Sequence, residues 1–234
     1  MICIVSEEIS NIAFQNLKKI TNNIIRIKKY MGVYPAISAH VDIQCFNIEK
    51  NSLLVHPLLD KKTLDEIKEN NIKVIMGKSI VGEKYPENIA YNAVRVGNLV
   101  LHNTNYTDSV LKEEALLRGY KLINVKQGYT KCSVLVIDNN SIITSDSGIA
   151  DVAMKNNIEV LLVDRGNIEL QGLNYGFIGG ASGTNEENGI IAFNGNIKLH
   201  PNYNEINEFI NGKGFEHISL IEGKLFDIGS IFFI

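Results

Sequence analysis

The sequence predicts an α/β ring closed from five copies of one supersecondary unit. Short apolar strands occur in pairs joined by turns, and each pair is followed by a helix-like stretch and a further strand. This strand–strand–helix–strand pattern returns roughly every 45 residues, a period typical of propellers and repeat arrays. Four whole units lie between residues 36 and 221, and partial units remain at both ends of the sequence.

The two partial units complement each other. Residues 2–29 predict a strand, a helix over residues 9–20 and a strand over residues 23–27, whereas residues 225–234 predict strands without a helix. Joined together they make a fifth unit, and a ring closed in this way leaves no strand edge exposed. A doubly wound α/β sheet is the alternative, but it does not require half a unit at each end. We treat residues 1–234 as one domain.

Within the four whole units, three of the second strands end alike, at His56, His102 and His200. Turns rich in Asn, Asp and Gly precede these strands, as in β-hairpins. In the last unit this pattern assigns residues 196–200 to a strand. Helices are predicted over residues 63–70, 108–118, 148–156 and 205–210, and closing strands over residues 72–76, 121–125, 159–163 and 217–221.

The composition indicates an ordinary globular protein. Hydrophobic residues make up 45% and charged residues 21% of the chain, and the formal net charge is -3. No strong field of either sign favours nucleic-acid binding, and the apolar runs are too short to cross a membrane. The first residues lack a basic region that would mark a signal peptide. We therefore expect a cytoplasmic protein that binds neither nucleic acid nor membrane.

Cysteine and histidine spacing argues against a disulfide framework and against a structural metal. The three cysteines, Cys3, Cys45 and Cys132, have no C-x-x-C spacing, and the five histidines show no H-x-x-x-H pair. Glycine-rich dinucleotide and phosphate-binding motifs are also missing. The sequence thus predicts neither a metal nor a cofactor, but leaves a single cysteine free to act as a nucleophile.

Four short motifs carry a resemblance to a known superfamily: residues 40–45 (HVDIQC), 85–92 (YPENIAYN), 98–104 (NLVLHNT) and 128–136 (GYTKCSVLV). They resemble the penteins, the five-bladed α/β-propellers of guanidine-modifying enzymes, and are most similar to dimethylarginine dimethylaminohydrolase. The pair His40-x-Asp42 also resembles arginine deiminases. The cysteine blade is near the C-terminus in that family and in mid-chain here. In a closed ring this rotation changes only the point at which the chain begins.

The resemblance implies a catalytic pair. In the family a nucleophilic cysteine opens one blade and a histidine opens another, and Cys132 and His40 fall in these places. The segment 221–229 is similar to a family strand with a catalytic acid, which implies that role for Glu222, with Asp227 as its rival. A guanidinium is a poor electrophile, so its cleavage needs a thiolate, carboxylates that hold the cation and an acid for the departing amine. A nearby cationic group or a bound cation would lower the thiol pKa.

Alternation along a predicted strand puts His40, Asp42 and Gln44 on one face. Asp42 would there pair with a cationic substrate, and His40 would protonate the leaving group and then activate water. The structural alternatives are a solvated strand face for these residues and a buried core position for Cys132. Cys45 falls on the opposite, packing face.

Further candidates for substrate binding are Asn92, Asp227, Gly180 and Ser182. Asn92 opens its blade as Cys132 does. Gly180 and Ser182 belong to residues 176–183, where the family has an aspartate for the guanidinium and this sequence has no acid. Backbone N–H groups and a hydroxyl suit an anion better than a cation, and the alternative is a flexible connection. An arginine-like substrate is therefore left open.

Two hypotheses about function follow. The first is a cysteine-dependent hydrolase or transferase that acts on a C–N bond of a small guanidino or amidino compound. The second is a non-catalytic pentein that binds a partner, as the ribosome anti-association factor of the same fold does. An enzyme requires Cys132 and His40 in one cavity, whereas a binding protein requires a broad apolar or charged patch.

Overall fold

The computed structural model describes residues 1–234 and contains fifteen strands in five three-stranded sheets. The chain begins with β1 (Cys3–Ser6), α1 (Asn11–Leu17) and β2 (Ile24–Ile27). A short 3-10 turn (Pro35–Ile37) and a single-turn helix α2 (Val41–Gln44) lead into the second blade, made of β3 (Cys45–Glu49), β4 (Ser52–Val55), α3 (Lys61–Glu69) and β5 (Lys73–Met76).

The remaining blades repeat the same order. The third is made of β6 (Val94–Val96), β7 (Leu99–His102), α4 (Ser109–Leu117) and β8 (Lys121–Asn124). A single-turn helix α5 (Thr130–Ser133) precedes the fourth, made of β9 (Val134–Asp138), β10 (Ser141–Thr144), α6 (Ser147–Lys155) and β11 (Glu159–Leu162). The fifth is made of β12 (Ser182–Asn185), β13 (Ile190–Phe193), α7 (Tyr203–Gly212) and β14 (Glu216–Ser219), and β15 (Phe232–Phe233) ends the chain.

Pairing of the two ends closes the ring. β15 lies antiparallel to β1, and β2 lies parallel to β1 on its other side. Every other blade has the same arrangement of one antiparallel and one parallel pair. The predicted five-unit α/β ring, completed by the N- and C-terminal segments, is confirmed.

Most of the predicted helices begin and end on local signals. At four helices the side-chain oxygen of the N-cap residue accepts a hydrogen bond from a backbone N–H of the first turn. These N-cap residues are Ser10, Asp60, Asp108 and Asp146. Four helices are followed by a residue of positive φ that stops the helix, at Asn71, Gly119, Asn157 and Gly214. These caps explain why the sequence pattern located α3, α4, α6 and α7 within about two residues.

The apolar core is divided into five clusters, and each lies between two neighbouring blades. Ile4 and Ile25 of the first blade pack with Leu53 and Ile67 of the second, and corresponding clusters lie at the other four junctions. Cys3 and Cys45 are buried in these clusters. The first strands of the blades surround the axis, with β12 beside β9 and β15, and β6 beside β3 and β9.

Two predicted strands are wrong. Residues 41–44 form the single-turn helix α2, and His40 is its N-cap, with an extended backbone. β3 begins only after this helix, at Cys45. Residues 197–199 form a 3-10 turn, since the Asn196 side chain caps it by accepting from Lys198 N. The hairpin of that blade is instead β12–β13. Its first strand is Ser-Gly-Thr-Asn, which carries no apolar signal.

None of the helices combines the length and the apolar character that crossing a membrane requires.

We expect that deleting residues 231–234 unfolds the ring. The deletion removes the paired hydrogen bonds between Ile2 and Ile234, each 2.9 Å, and the buried side chains of Ile231, Phe232 and Ile234. Truncation of one large buried side chain already costs about 2–5 kcal/mol. Thermal unfolding followed by circular dichroism measures the effect, with the partly buried Phe233→Thr as a control that keeps β15. An unchanged midpoint in the truncated chain would contradict the closed ring.

Candidate active site

The site is built from the residues that immediately precede the inner strands. Asn92, Cys132, Gly180 and Ser230 each lie two residues before the first strand of their blade, which is β6, β9, β12 and β15 respectively. His40 and Asp42 come from the turn and helix that precede β3. Because the inner strands surround one axis, these positions meet at one end of it.

Cys132 and Asp42 form the centre of the cluster. The Cys132 thiol donates to Asp42 Oδ2 over 3.0 Å, and the same oxygen accepts from Ser230 Oγ over 2.6 Å. Asn92 Nδ2 donates to Cys132 Sγ over 3.2 Å, and Asn92 Oδ1 accepts from the N–H groups of Lys131 and Cys132. Asn92 therefore fixes both the backbone and the sulfur of Cys132.

His40 lies between two carboxylates. Its Nδ1 is 3.9 Å from Asp42 Oδ1 and 3.9 Å from Asp227 Oδ1, and a ring nitrogen of His40 lies within 4.8 Å of Cys132 Sγ. Neither His40 Nδ1 nor Asp42 Oδ1 has a hydrogen-bond partner, although both atoms are enclosed. Buried polar atoms are rarely left unpaired, so these two suit a ligand that supplies the missing partners.

Asp227 is the second acid of the cluster, and the backbone holds it in place. Its two oxygens accept from Gly229 N and Phe177 N, each over 2.9 Å. A side chain at Gly180 would overlap the carboxylate, as would one at Gly176. The acid-free stretch 176–183 does bind a carboxylate, as its chemistry indicates, but that carboxylate is Asp227.

Three sequence candidates have other roles or positions. Ser182 Oγ donates to Ile178 O over 2.6 Å and is thereby occupied. Gly180 connects the loops, since its N–H donates to Cys132 O and its carbonyl accepts from Ser230 N. Glu222 is exposed and accepts from Asn196 Nδ2 over 3.4 Å. The chain is still at the surface there after β14, so of the two rival acids only Asp227 reaches the cluster.

Sequence reasoning missed Ser230 and the role of Lys131. Lys131 Nζ donates to Ser230 Oγ over 3.1 Å and to Gly179 O over 3.4 Å. A continuous hydrogen-bonded chain therefore runs from Lys131 through Ser230 and Asp42 to Cys132. Ser230 was detectable in principle, because it occupies the same position before its strand as Asn92 and Cys132.

Burial dominates the electrostatics of the cluster. It raises the pKa of the Cys132 thiol well above its ordinary value, and the charges of Asp42 and Asp227 raise it further. The pKa of His40 is lowered by burial, the pKa of Asp42 is raised by burial, and burial raises the pKa of Asp227 to about 6. Both shifts favour the uncharged forms of the thiol and the imidazole.

The same side chains form a set that could hold a metal ion. Ligand atoms of His40, Asp42 and Cys132 all lie within 4.8 Å of one another, and imidazole, carboxylate and thiolate are the ligands that Zn²⁺ takes in proteins. The sequence rules did not predict this set, because Asp42 and Cys132 are 90 residues apart. Two readings of one cluster, a nucleophile with its acid–base partners and a metal centre, are therefore open to experiment.

Comparison with known proteins places the chain in a family. The family DUF6873, described as a family of unknown function, matches residues 4–232. The chain belongs to this family. No curated protein matches it in sequence.

Solved structures establish the fold. DDAH from Pseudomonas aeruginosa, a cysteine-to-serine mutant complexed with citrulline, superposes with a TM-score of 0.55 at 10% identity and covers 93% of this chain and 90% of that one. The arginine dihydrolase ArgZ of cyanobacteria has a TM-score of 0.55 at 9% identity, over 93% of this chain and 35% of its own. Its N-terminal domain, covalently bound to a reaction intermediate, has a TM-score of 0.53 at 8% identity, over 93% of this chain and 89% of that domain. This member of the DUF6873 family therefore has the pentein fold.

We expect the Asp42→Asn variant to react faster with the neutral reagent iodoacetamide. Asp42 raises the thiol pKa through its charge and its hydrogen bond, and a fall of one pKa unit gives about tenfold more thiolate at a pH below the pKa. The rate of Cys132 alkylation is followed by mass mapping between about pH 6 and pH 10, a range that extends to both sides of the ordinary thiol pKa. Asp151→Asn, at an exposed helix position, is the control, and an equal or slower rate in Asp42→Asn would contradict this role of Asp42.

Proposed function

We propose that the protein is a cysteine-dependent enzyme that cleaves a C–N bond of a small guanidino or amidino compound. One observation carries this proposal: a thiol, an imidazole and two carboxylates meet in one enclosed cluster, with His40 Nδ1 and Asp42 Oδ1 unpartnered. The fold supports it, since structural neighbours are described as an arginine dihydrolase and as a DDAH complexed with citrulline.

A cationic, planar group complements the cluster. Asp42 and Asp227 both face His40, so one ring separates two buried acids. Burying carboxylates without a cation costs several kcal/mol each, and a guanidinium or amidinium would offset this cost. Asp42 Oδ1 is free to accept one of its N–H groups. Recognition of the cation is therefore a role for the same acids that raise the pKa of the thiol.

Arrival of the cation would activate the thiol. Positive charge near Cys132 lowers the thiol pKa, and the thiol proton passes to Asp42 Oδ2, which already accepts its hydrogen bond over 3.0 Å. The sulfur electron pair then forms an S–C bond to the central carbon. His40 relays the proton from Asp42 to one nitrogen, the C–N bond breaks with its electron pair on that nitrogen, and the amine leaves.

Release of the adduct requires water and His40. The imidazole takes a proton from water as the oxygen attacks the central carbon, and the C–S bond breaks with its electron pair on sulfur. The imidazolium proton returns to the sulfur and restores the thiol, and the second water proton, left on the product oxygen, is lost to solvent as the C=O bond forms. The products are an amine and a ureido or amide compound. If an amine replaces water in this step, the same cluster catalyses transfer instead of hydrolysis.

We expect turnover of a panel of arginine, N-methylated arginines, agmatine and simple amidines to depend on Cys132. Released ammonia or alkylamine is measured together with the ureido product by mass spectrometry. Cys132→Ser should lose activity by about a thousandfold or more, because loss of a nucleophile typically has an effect of this order. Cys3→Ser, at a cysteine buried in the apolar cluster between the first and fifth blades, is the matched control.

His40→Asn in the same panel should slow both formation and release of the covalent adduct on Cys132, because the imidazole carries a proton in each step. Absence of turnover and of any adduct in the unaltered protein with all compounds would contradict the enzyme and favour the partner-binding pentein. Activity that depends on added Zn²⁺ and is lost with a chelator would contradict the nucleophile role of Cys132 and favour a metal centre.

We expect the apparent affinity for a cationic substrate to weaken as the pH falls through about 6. The pKa of Asp227 is raised to about 6 by burial, so below this pH the carboxyl is neutral and no longer attracts the cation, whereas above it the attraction is complete. The test is to measure KM between about pH 5 and pH 8, a range that extends roughly one pH unit or more to each side of the Asp227 pKa. Asp227→Asn should raise KM by about tenfold or more, equivalent to ~1.4 kcal/mol, and abolish the transition near 6. A KM that is flat in the unaltered protein would rule out this role of Asp227.

A further inference from the structure

A cavity lies among the five inner strands that surround the axis of the ring. Its volume is about 220 Å³. Every inner strand contributes to its wall, through residues that include Asn47, Arg95, Val136, Asn185 and Phe232. The cavity is thus a built feature of ring closure, distinct from the cluster of His40 and Cys132.

Two cationic side chains of the wall donate only to neutral oxygens, and one amide donor of the wall has no partner. Lys131 lines the cavity, and its ammonium bonds only the neutral Ser230 Oγ and Gly179 O, although an ammonium has three N–H groups. The half-buried Arg95 donates to Gly97 O and has no carboxylate partner. Asn185 Nδ2 has no partner at all, and its residue is only 1% exposed.

One acceptor of the wall is also free, and the two acids of the wall are exposed. Asn47 Oδ1 is enclosed without a partner. Glu187 is exposed and pairs with Lys50 over 2.6 Å, and Glu186 is exposed beside it. Beside Lys50, Glu186 and Glu187, the wall therefore presents two further cations, an amide donor and one amide acceptor. Unpaired buried polar groups cost free energy, which an anion with a donor group of its own would recover.

We propose that the axial cavity binds a small carboxylate that also carries a hydroxyl or amino group. The carboxylate would accept from Lys131, Arg95 and Asn185, and the donor would pair with Asn47 Oδ1. A volume of 220 Å³ corresponds to about seven water molecules, which is enough room for a small hydroxy or amino acid. The proposal concerns binding and does not depend on the catalytic role of Cys132.

Lys131 couples this cavity to the thiol. Its ammonium donates to Ser230, Ser230 donates to Asp42, and Asp42 accepts from Cys132. A carboxylate that accepts the third N–H of the ammonium neutralises part of its positive charge beside Ser230, and so alters the hydrogen bond that Ser230 gives to Asp42. Occupation of the cavity should therefore change the alkylation rate of Cys132, and alkylation should change the affinity of the cavity, because coupling between two sites is reciprocal.

Titration calorimetry with glycolate and L-serine as probes tests the site, with ethylene glycol and ethanolamine as matched molecules that lack the carboxylate. The unaltered protein should bind the carboxylates alone. Asn185→Asp should weaken their binding by about tenfold or more, because it replaces the free donor by a negative charge and keeps the oxygen that accepts from Asn188 N. Asn188→Asp places the same charge at a neighbouring exposed position and should bind as the unaltered protein does.

Arg95→Gln is a second variant, in case Asn185→Asp does not fold, and it should also weaken binding. Equal affinity of the unaltered protein and of whichever of these variants folds would overturn the proposal, as would an absence of binding by both carboxylates or equal binding of ethylene glycol. Failure of the catalytic proposal would leave these results unchanged, since heat of binding is measured and not turnover. Accelerated or slowed alkylation of Cys132 by iodoacetamide with glycolate present would support the coupling through Lys131, and an unchanged rate at saturation would contradict it.

Discussion

Pairing of β15 with β1 is the contact on which both the fold and the site depend. It closes the ring, and it brings the last residues of the chain to the loops before β3 and β9. The hydrogen bond from Ser230 to Asp42 joins residues 188 positions apart, and Asp42 N reaches Gly229 O over 3.2 Å. Without closure the Cys132 cluster would lose Ser230 and Asp227 together, so stability and chemistry share one structural cause.

Closure also concentrates buried charge that the fold must tolerate. Asp227 is compensated by two backbone donors, whereas Asp42 has a thiol and a hydroxyl on one oxygen and nothing on the other. A buried carboxylate with one unpartnered oxygen destabilises the fold relative to an apolar replacement. The five apolar clusters between blades offset this cost, and they lie away from the axis. The blades therefore stabilise the ring, which leaves the axis available for polar function.

The repeat could be predicted from sequence because each unit carries local signals. Helix caps such as Asp108 and stops such as Gly119 act within one turn. Two elements that depend on contacts within the ring were not predicted. One is α2, and the other is β12, a strand with few apolar residues that packs between β9 and β15. Cys132, His40 and Asp42 were found through a resemblance, but whether Glu222 or Asp227 joins them depends on where the chain leaves the surface, which no local pattern encodes.

One backbone position, two residues before an inner strand, supplies Asn92, Cys132, Gly180 and Ser230. Geometry at this position is repeated, so its chemistry is free to differ from blade to blade: an amide that orients sulfur, the sulfur, a glycine that makes room for Asp227, and a hydroxyl that bonds Asp42. The relative order around the ring decides which of these groups meet. Moving the chain start to another blade leaves that order unchanged. A ring whose chain begins at another blade can therefore keep a Cys–His cluster although the sequence intervals that span the new chain ends differ.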